Sequence, residues 1–299
     1  MKILCTGSNG FIGKHVVKAL RETEHEVIAA DNEWLNLKWN ESMDMEADIT
    51  KPLIPIPGLD AVIHLAGLAN PRECDVYPGS AFDKNVNGTH QVLKMALASG
   101  AKKVVYASTA HVYGVSPKYL PTDETHPLWL QNNYTLTKIL GEQLCELYYQ
   151  NHGLSYTVLR LYNAYGPGQA RGYFIPDMLA KARKGNIVLT GGNTTKDWVY
   201  VEEVAQAFVK ALGTPFVGHI NIGTGVETEI SVLAEYIARA MGASFSSTPD
   251  PNATRMQADT SRAREVLSWQ PVIGVVEGLE RLLQAEGIKT NLVPVMDWK

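Results

Sequence analysis

The stretch that decides the fold is Lys2-Ile3-Leu4-Cys5-Thr6-Gly7-Ser8-Asn9-Gly10-Phe11-Ile12-Gly13, at the start of the chain. An apolar run, three glycines and a helix-like segment from Phe11 to Glu22 follow one another. Glycines at such a turn leave room for a pyrophosphate, which would accept backbone N–H bonds at the positive end of the helix. This order predicts a strand–turn–helix unit that binds a dinucleotide, although a Gly-rich turn in an unrelated α/β domain has the same pattern.

An acidic residue follows the second apolar run. Asp31 comes directly after Glu26 to Ala30, at about the spacing of an acid that bonds the adenosine ribose hydroxyls. Its carboxylate would repel a 2′-phosphate, and the next residues, Asn32 and Glu33, provide no Arg to bind one. We therefore predict NAD rather than NADP as the cofactor, with an ordinary solvated turn acid as the alternative.

Composition narrows the class of protein. The chain has 299 residues, of which 45% are hydrophobic and 19% charged, and its net charge is −4. These values are ordinary for a globular protein, and without a Lys/Arg-dense stripe they argue against nucleic-acid binding. No run of about 18 apolar residues predicts a membrane span, and the apolar start is cut by Thr6-Gly7. We expect a soluble, cytoplasmic protein.

The cysteines and histidines are scattered along the chain. Cys5, Cys74 and Cys145 have the spacing of neither a disulfide framework nor a metal cluster, and the eight histidines are equally dispersed. We expect no structural metal.

Apolar runs and helical patterns alternate through the first half of the chain. In order they are Ala61 to Leu65, Asn85 to Ser99, Lys103 to Ala107, Asn132 to Gln150, and Tyr156 to Leu161. Such alternation predicts an α/β fold, a Rossmann-like doubly wound parallel sheet that binds ligands at the carboxyl ends of its strands.

Beyond Tyr162 the alternation loosens into Gly/Pro-rich loops and separate helices, Ser231 to Met241 and Ser261 to Leu267. We predict a smaller, mixed α/β C-terminal substrate domain that closes over the cofactor. The NAD-binding domain would comprise residues 1–165 with about 194–222, and the substrate domain about 166–193 and 223–299.

A tyrosine and a lysine share one face of a predicted helix. Tyr134 and Lys138 are four residues apart, so their side chains project from successive turns. A neighbouring ammonium favours the phenolate, which would lower the Tyr134 pKa and make it a base. Ser108-Thr109, after an earlier strand, places hydroxyls where a ligand would lie. Each feature alone also fits a purely structural role.

Taken together and in order, these segments resemble a family, the extended short-chain dehydrogenase/reductases of the NAD-dependent epimerase/dehydratase type, which act on nucleotide-sugars. The likeness extends over nearly the whole chain. The segments that carry it are Thr6 to Gly13, Asp48-Ile49, His64 to Gly67, Asn85 to Thr89, Ser108 to Gly114, Tyr134 to Lys138, Leu159 to Pro167, Asp197 to Val201, and Ala258 to Ala263.

The resemblance implies roles for individual residues. Tyr134 would be the catalytic base and acid, Lys138 would hold the nicotinamide ribose and lower the Tyr134 pKa, and Thr109 would be the hydroxyl partner. The implied cofactor-binding residues are Gly7, Asn9, Gly10, Phe11, Ile12, Gly13, Asp31, Asn32, Asp48, Ile49, Leu65, Ala66, Gly67, Asn85, Tyr134 and Lys138. The implied substrate-binding residues are Thr109, His111, Asn163, Lys196 and Arg255. For His111, Asn163 and Arg255, a structural or solvated role is the alternative.

Two departures from the family pattern narrow the function. Ala110-His111 stands where the sugar 4,6-dehydratases carry an Asp-Glu pair, so the acid and base of water elimination are missing. Lys196 stands where the family commonly places an Arg on the substrate diphosphate, which keeps the charge but loses the two-point contact.

We therefore predict an NAD-dependent nucleotide-sugar 4-epimerase. The alternatives are an NAD(P)H-dependent 4-keto-sugar reductase, a 4,6-dehydratase, and a non-catalytic NAD-binding regulator. Relatives commonly dimerise through two helices per subunit, so the helices from Asn85 and from Asn132 would form a homodimer contact.

Overall fold

The computed structural model describes residues 1–32 and 44–288. Its central element is a parallel sheet of seven strands. These strands are β1 (Lys2–Thr6), β2 (Glu26–Asp31), β3 (Met45–Glu46), β4 (Ala61–His64), β5 (Lys103–Thr109), β6 (Ser155–Leu161) and β10 (Gly218–Ile222). Their order across the sheet is β10-β6-β5-β4-β1-β2-β3.

Helices cover both faces of this sheet. They are α1 (Phe11–Arg21) and α7 (Val201–Gly213) on one face, and α4 (Gly88–Ala98) and α5 (Asn133–His152) on the other. Successive strand residues point to opposite faces, so Ile3 packs toward α1 and α7 whereas Leu4 packs toward α4 and α5. Burial on both faces explains why the strands are continuous apolar runs rather than alternating ones.

The catalytic helix predicted from the sequence begins and ends at residues with recognisable capping chemistry. Asn132 is its N-cap: the side-chain oxygen accepts from Thr135 N at 2.9 Å, and the Thr135 hydroxyl accepts in return from Asn132 N. Gly153 ends the helix in the left-handed conformation, with φ of +71°. The sequence-based boundaries of α5 were therefore correct to within two residues.

The remaining elements form a smaller, mixed part of the molecule. The strands of this part are β7 (Asn163–Tyr165), β8 (Asn186–Thr190), β9 (Thr195–Tyr200), β11 (Glu227–Glu229) and β12 (Ser244–Thr248). They form a three-stranded sheet in the order β11-β9-β7 and a two-stranded sheet that pairs β12 with β8. Helices α6 (Phe174–Ala182), α8 (Ile230–Ala240) and α10 (Val275–Ala285) pack with them around a second apolar core.

Short helices complete the described chain: α2 (Pro71–Val76), α3 (Pro78–Phe82) and α9 (Ser261–Leu267). The predicted helix from Asn85 to Ser99 is interrupted, because Asp83–Asn87 forms one π-helical turn ahead of α4. The predicted fold, a Rossmann-like parallel sheet with a smaller mixed α/β part, is confirmed. The domain boundaries given above stay a prediction.

Candidate active site

The glycine-rich turn between β1 and α1 is shaped by backbone contacts that exclude side chains. Gly7 has φ of +75°, and a Cβ there would lie 2.6 Å from Ala66 N in the loop after β4. A Cβ on Gly13 would overlap the Gly7 carbonyl oxygen, which also accepts from Gly10 N at 3.1 Å. The turn therefore brings bare backbone to the carboxyl edge of the sheet, in front of the N-terminus of α1. Phe11 and Ile12 form the first turn of that helix, both half-buried.

Asp31 ties the end of β2 to this turn. Its Oδ2 accepts from Asn9 N at 2.8 Å, and its Oδ1 accepts from the exposed Asn32 at 2.8 Å. A carboxylate has about four acceptor positions, of which donors in the described part of the chain use two, and ribose hydroxyls would bind at the others. Glu33, which entered the argument for NAD, lies outside the described residues.

The loop after β4 forms the opposite wall. Leu65 N donates to Thr6 O at 3.1 Å, and Ala66 abuts Gly7. Gly67 is exposed, and a Cβ there would lie 2.7 Å from the Asn85 side-chain oxygen.

Asn85 supports this wall from behind. Its amide accepts from Leu68 N at 2.7 Å and donates to Leu68 O and to Thr137 Oγ1, both at 3.0 Å. The side chain is 1% exposed. Asn85 therefore holds the loop against α5 through its amide, and its role in lining the cofactor groove stays a prediction.

Asp48 and Ile49 are placed differently from one another. The exposed Asp48 carboxylate accepts from Thr50 N at 2.9 Å and from its hydroxyl at 2.7 Å, and these bonds lower the Asp48 pKa. The Ile49 side chain is buried, and a Cβ on Gly88 would lie 2.6 Å from its Cδ1. With its side chain buried, Ile49 could contact an adenine through its backbone.

This arrangement fits a dinucleotide. The bare glycine turn, the acid at the end of β2 and the loop after β4 all meet at the carboxyl ends of neighbouring parallel strands, where such sheets bind their ligands.

Tyr134 lies on the first turn of α5, against the end of β5. Its phenol lies near the Thr109 side chain, and the rings of Tyr134 and His111 meet edge-on with centroids 6.5 Å apart. The Tyr134 side chain is 8% exposed. Burial raises the pKa of Tyr134, and the nearby Thr109 hydroxyl lowers it by a smaller amount. In the chain without cofactor, desolvation of the phenolate therefore outweighs the favourable contacts, and the lowering of this pKa by Lys138 stays a prediction for the protein with NAD bound.

Lys138, one turn further along α5, is directed at the sheet. Its Nζ donates to Ala107 O at 2.8 Å and lies 5.0 Å from the centre of the Tyr106 ring. Burial lowers the pKa of this ammonium to about 8. The backbone of β5 therefore holds Lys138 one helical turn after Tyr134, and the joint catalytic role of Thr109, Tyr134 and Lys138 stays a prediction.

His111 and Lys196 come together across the two parts of the molecule. Burial and the positive charge of Lys196 lower the pKa of His111 to about 4, so the imidazole is neutral near pH 7. Burial lowers the pKa of Lys196 to about 8, and its Nζ donates to Thr254 Oγ1 at 3.4 Å. Within residues 1–32 and 44–288, this ammonium has no carboxylate within salt-bridge distance.

The other two predicted substrate ligands are engaged with the protein. Asn163 Nδ2 donates to Asp197 O at 3.1 Å, in the sheet that carries Lys196. Arg255 is exposed and paired with Glu227 through one edge of its guanidinium, with Nε donating at 3.0 Å and Nη2 donating to the other carboxylate oxygen. Glu227 therefore occupies the Nε–Nη2 edge that would otherwise be available to a diphosphate.

The fold makes contacts around the site that sequence reasoning did not predict. Cys74 and Tyr173 face Tyr134, and His64 is buried between Thr6 Oγ1 at 2.7 Å and Thr89 Oγ1 at 3.1 Å. The Thr89 hydroxyl donates its hydrogen to Asn85 O at 2.6 Å, so His64 Nε2 is the protonated nitrogen. No local pattern predicts these contacts, because the partners are distant in sequence.

With this geometry established, comparison with known proteins gives the class. The model of the NAD dependent epimerase/dehydratase family matches residues 3–223, more than half of the chain. The chain therefore belongs to this family, whose cofactor is NAD, as the sequence predicted.

Individual relatives carry two different activities in their names. A proposed UDP-glucose 4-epimerase of Methanocaldococcus jannaschii is 37% identical, covering 94% of this chain and 97% of its own. UDP-glucuronic acid decarboxylase 3 of Arabidopsis thaliana is 31% identical, covering 98% and 91%. The crystal structure of UDP-glucose 4-epimerase from Thermotoga maritima with UDP-glucose has a TM-score of 0.88 and 28% identity, covering 96% and 99%.

Two features are absent from the described residues. None of the helices there has the length and hydrophobicity needed to cross a membrane. Nor does that part of the chain contain a cluster of three or more His, Cys, Asp or Glu side chains able to hold a metal ion.

Proposed function

We propose that the protein is an NAD-dependent nucleotide-sugar 4-epimerase. The observation that carries the proposal is the packing of Tyr134, at the start of α5, near Thr109 at the end of β5, with Lys138 one turn further along the helix and Ala110-His111 next after Thr109 along the chain. The first three residues can move a proton at a sugar hydroxyl. The two that follow provide no acid and base pair for eliminating water.

The substrate class is a UDP-hexose. Relatives named as UDP-glucose 4-epimerases support this choice, since two of them align over more than nine-tenths of the chain. Lys196 supports an anionic ligand, because a half-buried ammonium without a carboxylate partner among the described residues gains from a phosphate.

The chain's own residues divide the chemistry between them. Tyr134 would take the proton of the C4 hydroxyl and later return it, while Thr109 hydrogen-bonds the same oxygen. NAD, when bound, supplies the acceptor and donor of the C4 hydride. Lys138 would donate to the cofactor ribose and hold its charge near Tyr134. The half-buried neutral His111 would contact the sugar, and Asn163, Lys196 and Arg255 the diphosphate.

The test is a cofactor and product analysis of the purified protein. The protein is denatured, any released nicotinamide is identified, and native protein is incubated with UDP-, GDP- and dTDP-sugars without added cofactor. Retained NAD and a 4-epimer of a UDP-hexose are the expected results. Turnover of only 4-keto-sugars with added NADH or NADPH would make the protein a reductase, and release of CO₂ from UDP-glucuronate would make it a decarboxylase.

The assembly is part of the same proposal. We expect a homodimer that pairs α4 and α5 of one subunit with those of the other. Leu147 and Tyr149 of α5 are 47% and 42% exposed, which leaves apolar surface on this helix. A solution mass near 33 kDa at micromolar concentration would contradict it.

A further inference from the structure

A buried carboxylate lies on α5 behind the candidate catalytic residues. Glu142 follows Lys138 by four residues, so Tyr134, Lys138 and Glu142 occupy successive turns of one helix face. The Glu142 side chain is 3% exposed. The reaction proposed above gives it no role.

Three strands of the central sheet hold this carboxylate. Oε1 accepts from Ser108 Oγ of β5 and from Arg160 Nε of β6, the latter at 3.0 Å. Oε2 accepts from Arg160 Nη2 at 2.7 Å and lies 3.2 Å from His219 Nε2 of β10. Both oxygens are therefore used, and the Arg160 contact is two-pronged, which fixes direction as well as distance.

The network continues from Arg160 toward the smaller part of the molecule. Arg160 Nη1 donates to Tyr113 OH at 2.9 Å, and Tyr113 OH donates to Asn221 Oδ1 at 2.8 Å. Asn221 Nδ2 donates to Thr122 O at 2.9 Å, and Thr122 pairs with Ala258, three residues after Arg255. The chain of bonds thus joins α5 to the segment that carries a candidate substrate ligand.

Glu142 is bonded to the residue next to Thr109. Ser108 and Thr109 are the last two residues of β5, and α5 lies so close to this strand that a Cβ on Gly141 would overlap the Tyr106 hydroxyl. A shift of α5 along its axis would therefore have two effects at once. It would break the Glu142 contacts, and it would separate Tyr134 from Thr109.

We propose that Glu142 is a positioning residue: through Arg160 and Ser108 it fixes the axial position of α5, and thereby the contact between Tyr134 and Thr109. The inference rests on the proposed function only for its kinetic consequence. Glu142 also acts on Lys138 through its charge, since its carboxylate favours the ammonium form.

Other charged and titratable groups share this environment. Those facing Lys138 are His64, Cys74, Glu142 and Cys145, with the Tyr106 ring. Those facing Glu142 are Tyr106, Ser108, Tyr113, Lys138, Cys145, Tyr156, Arg160 and His219.

The experiment compares Glu142→Gln and Glu142→Asp with a matched control, Glu203→Gln. Glu203 is also a buried carboxylate, but it accepts from Ile273 N at 2.9 Å on the opposite face of the sheet. Thermal unfolding, NAD content, and kcat and KM for 4-epimerisation across pH are measured. The Lys138 pKa is followed separately by NMR of ¹³Cε-labelled lysine, which requires no turnover.

Glu142→Gln should retain NAD, lose about 10- to 100-fold in kcat and change KM less than about twofold. The Lys138 pKa, and with it the alkaline limb of the kcat profile, should fall by about half a pH unit or more. Glu142→Asp keeps the charge but not the reach, so kcat should fall without that shift. Glu203→Gln should lower only the thermal stability.

Unchanged kcat, KM and Lys138 pKa in a destabilised Glu142→Gln variant would overturn the proposal. If that variant does not fold, Arg160→Lys is used instead, because it keeps the charge and loses the two-pronged contact. An unchanged kcat in Arg160→Lys would also overturn the proposal. Full turnover by Tyr134→Phe would overturn the proposed function instead, and the Lys138 titration would then still test the charge effect of Glu142 on Lys138.

Discussion

At the scale of the residue, burial decides how the candidate catalytic groups behave. Desolvation raises the pKa of Tyr134 and lowers that of Lys138, so the uncharged form of each side chain is favoured more than it would be in water. The nearby Thr109 hydroxyl opposes this shift of the Tyr134 pKa by a smaller amount. A shift of one pKa unit corresponds to about 1.4 kcal/mol, so small changes in these contacts alter the chemistry measurably.

Replacing Tyr134 with Phe tests the proton-transfer role. We expect turnover to fall by about 10²-fold or more, because the sugar hydroxyl loses its acid and base, while NAD content stays unchanged. Tyr148→Phe is the matched control, since Tyr148 is a buried tyrosine of the same helix that packs in the α4/α5 core. Equal loss in both variants would indicate a packing effect rather than catalysis.

Replacing Lys196 with Met tests the anion site. KM should rise by about tenfold or more with a smaller change in kcat, and thermal stability should increase, because the variant no longer buries an ammonium. Lys196→Arg should recover part of the affinity. Lys184→Met, at an exposed lysine, is the control; a KM for Lys196→Met equal to that of this control would remove Lys196 from the site.

At the scale of the element, the sequence predicted what depends on neighbours along the chain. Tyr134 and Lys138 share a helix face because they are four residues apart, and Asn132 and Gly153 bound that helix by capping chemistry. The π-helical turn at Asp83–Asn87 was missed, because nothing in the local pattern distinguishes it from a regular helix.

Contacts between distant segments could not be predicted in this way. In the sequence, Glu142 resembles any polar residue of an amphipathic helix. Only the fold shows that it is buried and bound by Arg160. Likewise, Arg255 was identified as a phosphate ligand without any sign that Glu227 would bind it. A side chain's partner is set by sheet order and loop path, neither of which one segment encodes.

The close packing of α5 on β5 makes a prediction about Gly141. Gly141→Ala should lower the free energy of unfolding by about 1–3 kcal/mol, because the new methyl group meets the Tyr106 hydroxyl and ring. Gly79→Ala in α3, with open space around its Cβ, should be neutral or slightly stabilising. Urea unfolding of both variants checks this, and equal stability of the two would contradict the packing.

At the scale of the whole molecule, the two ends of the parallel strands have different roles. The carboxyl ends carry the glycine turn, Thr109 and the loop after β4, whereas Lys103 lies at the amino end of β5. Its Nζ donates to Phe216 O at 2.8 Å and to Thr214 O at 3.1 Å, joining the strand to the end of α7.

Lys103 should make stability depend on pH. Burial lowers its pKa from 10.5 to about 8, so between these values the unfolded chain holds a proton that the folded chain has released. Folding therefore gains stability as pH rises through this window, with a slope approaching about 1.4 kcal/mol per pH unit. The free energy of unfolding of wild type relative to Lys103→Met should rise accordingly, whereas Lys102→Met, at the exposed neighbour, should show no such trend.

The measurement that tests the central claim most directly follows the hydrogen at C4. UDP-glucose carrying deuterium at C4 is incubated with the purified protein without added cofactor, and the product is analysed by NMR and mass spectrometry. The account predicts UDP-galactose that keeps the deuterium at C4, because the same hydride leaves and returns within one active site. A product with solvent hydrogen at C4, or turnover only when reduced nicotinamide is added, would contradict it.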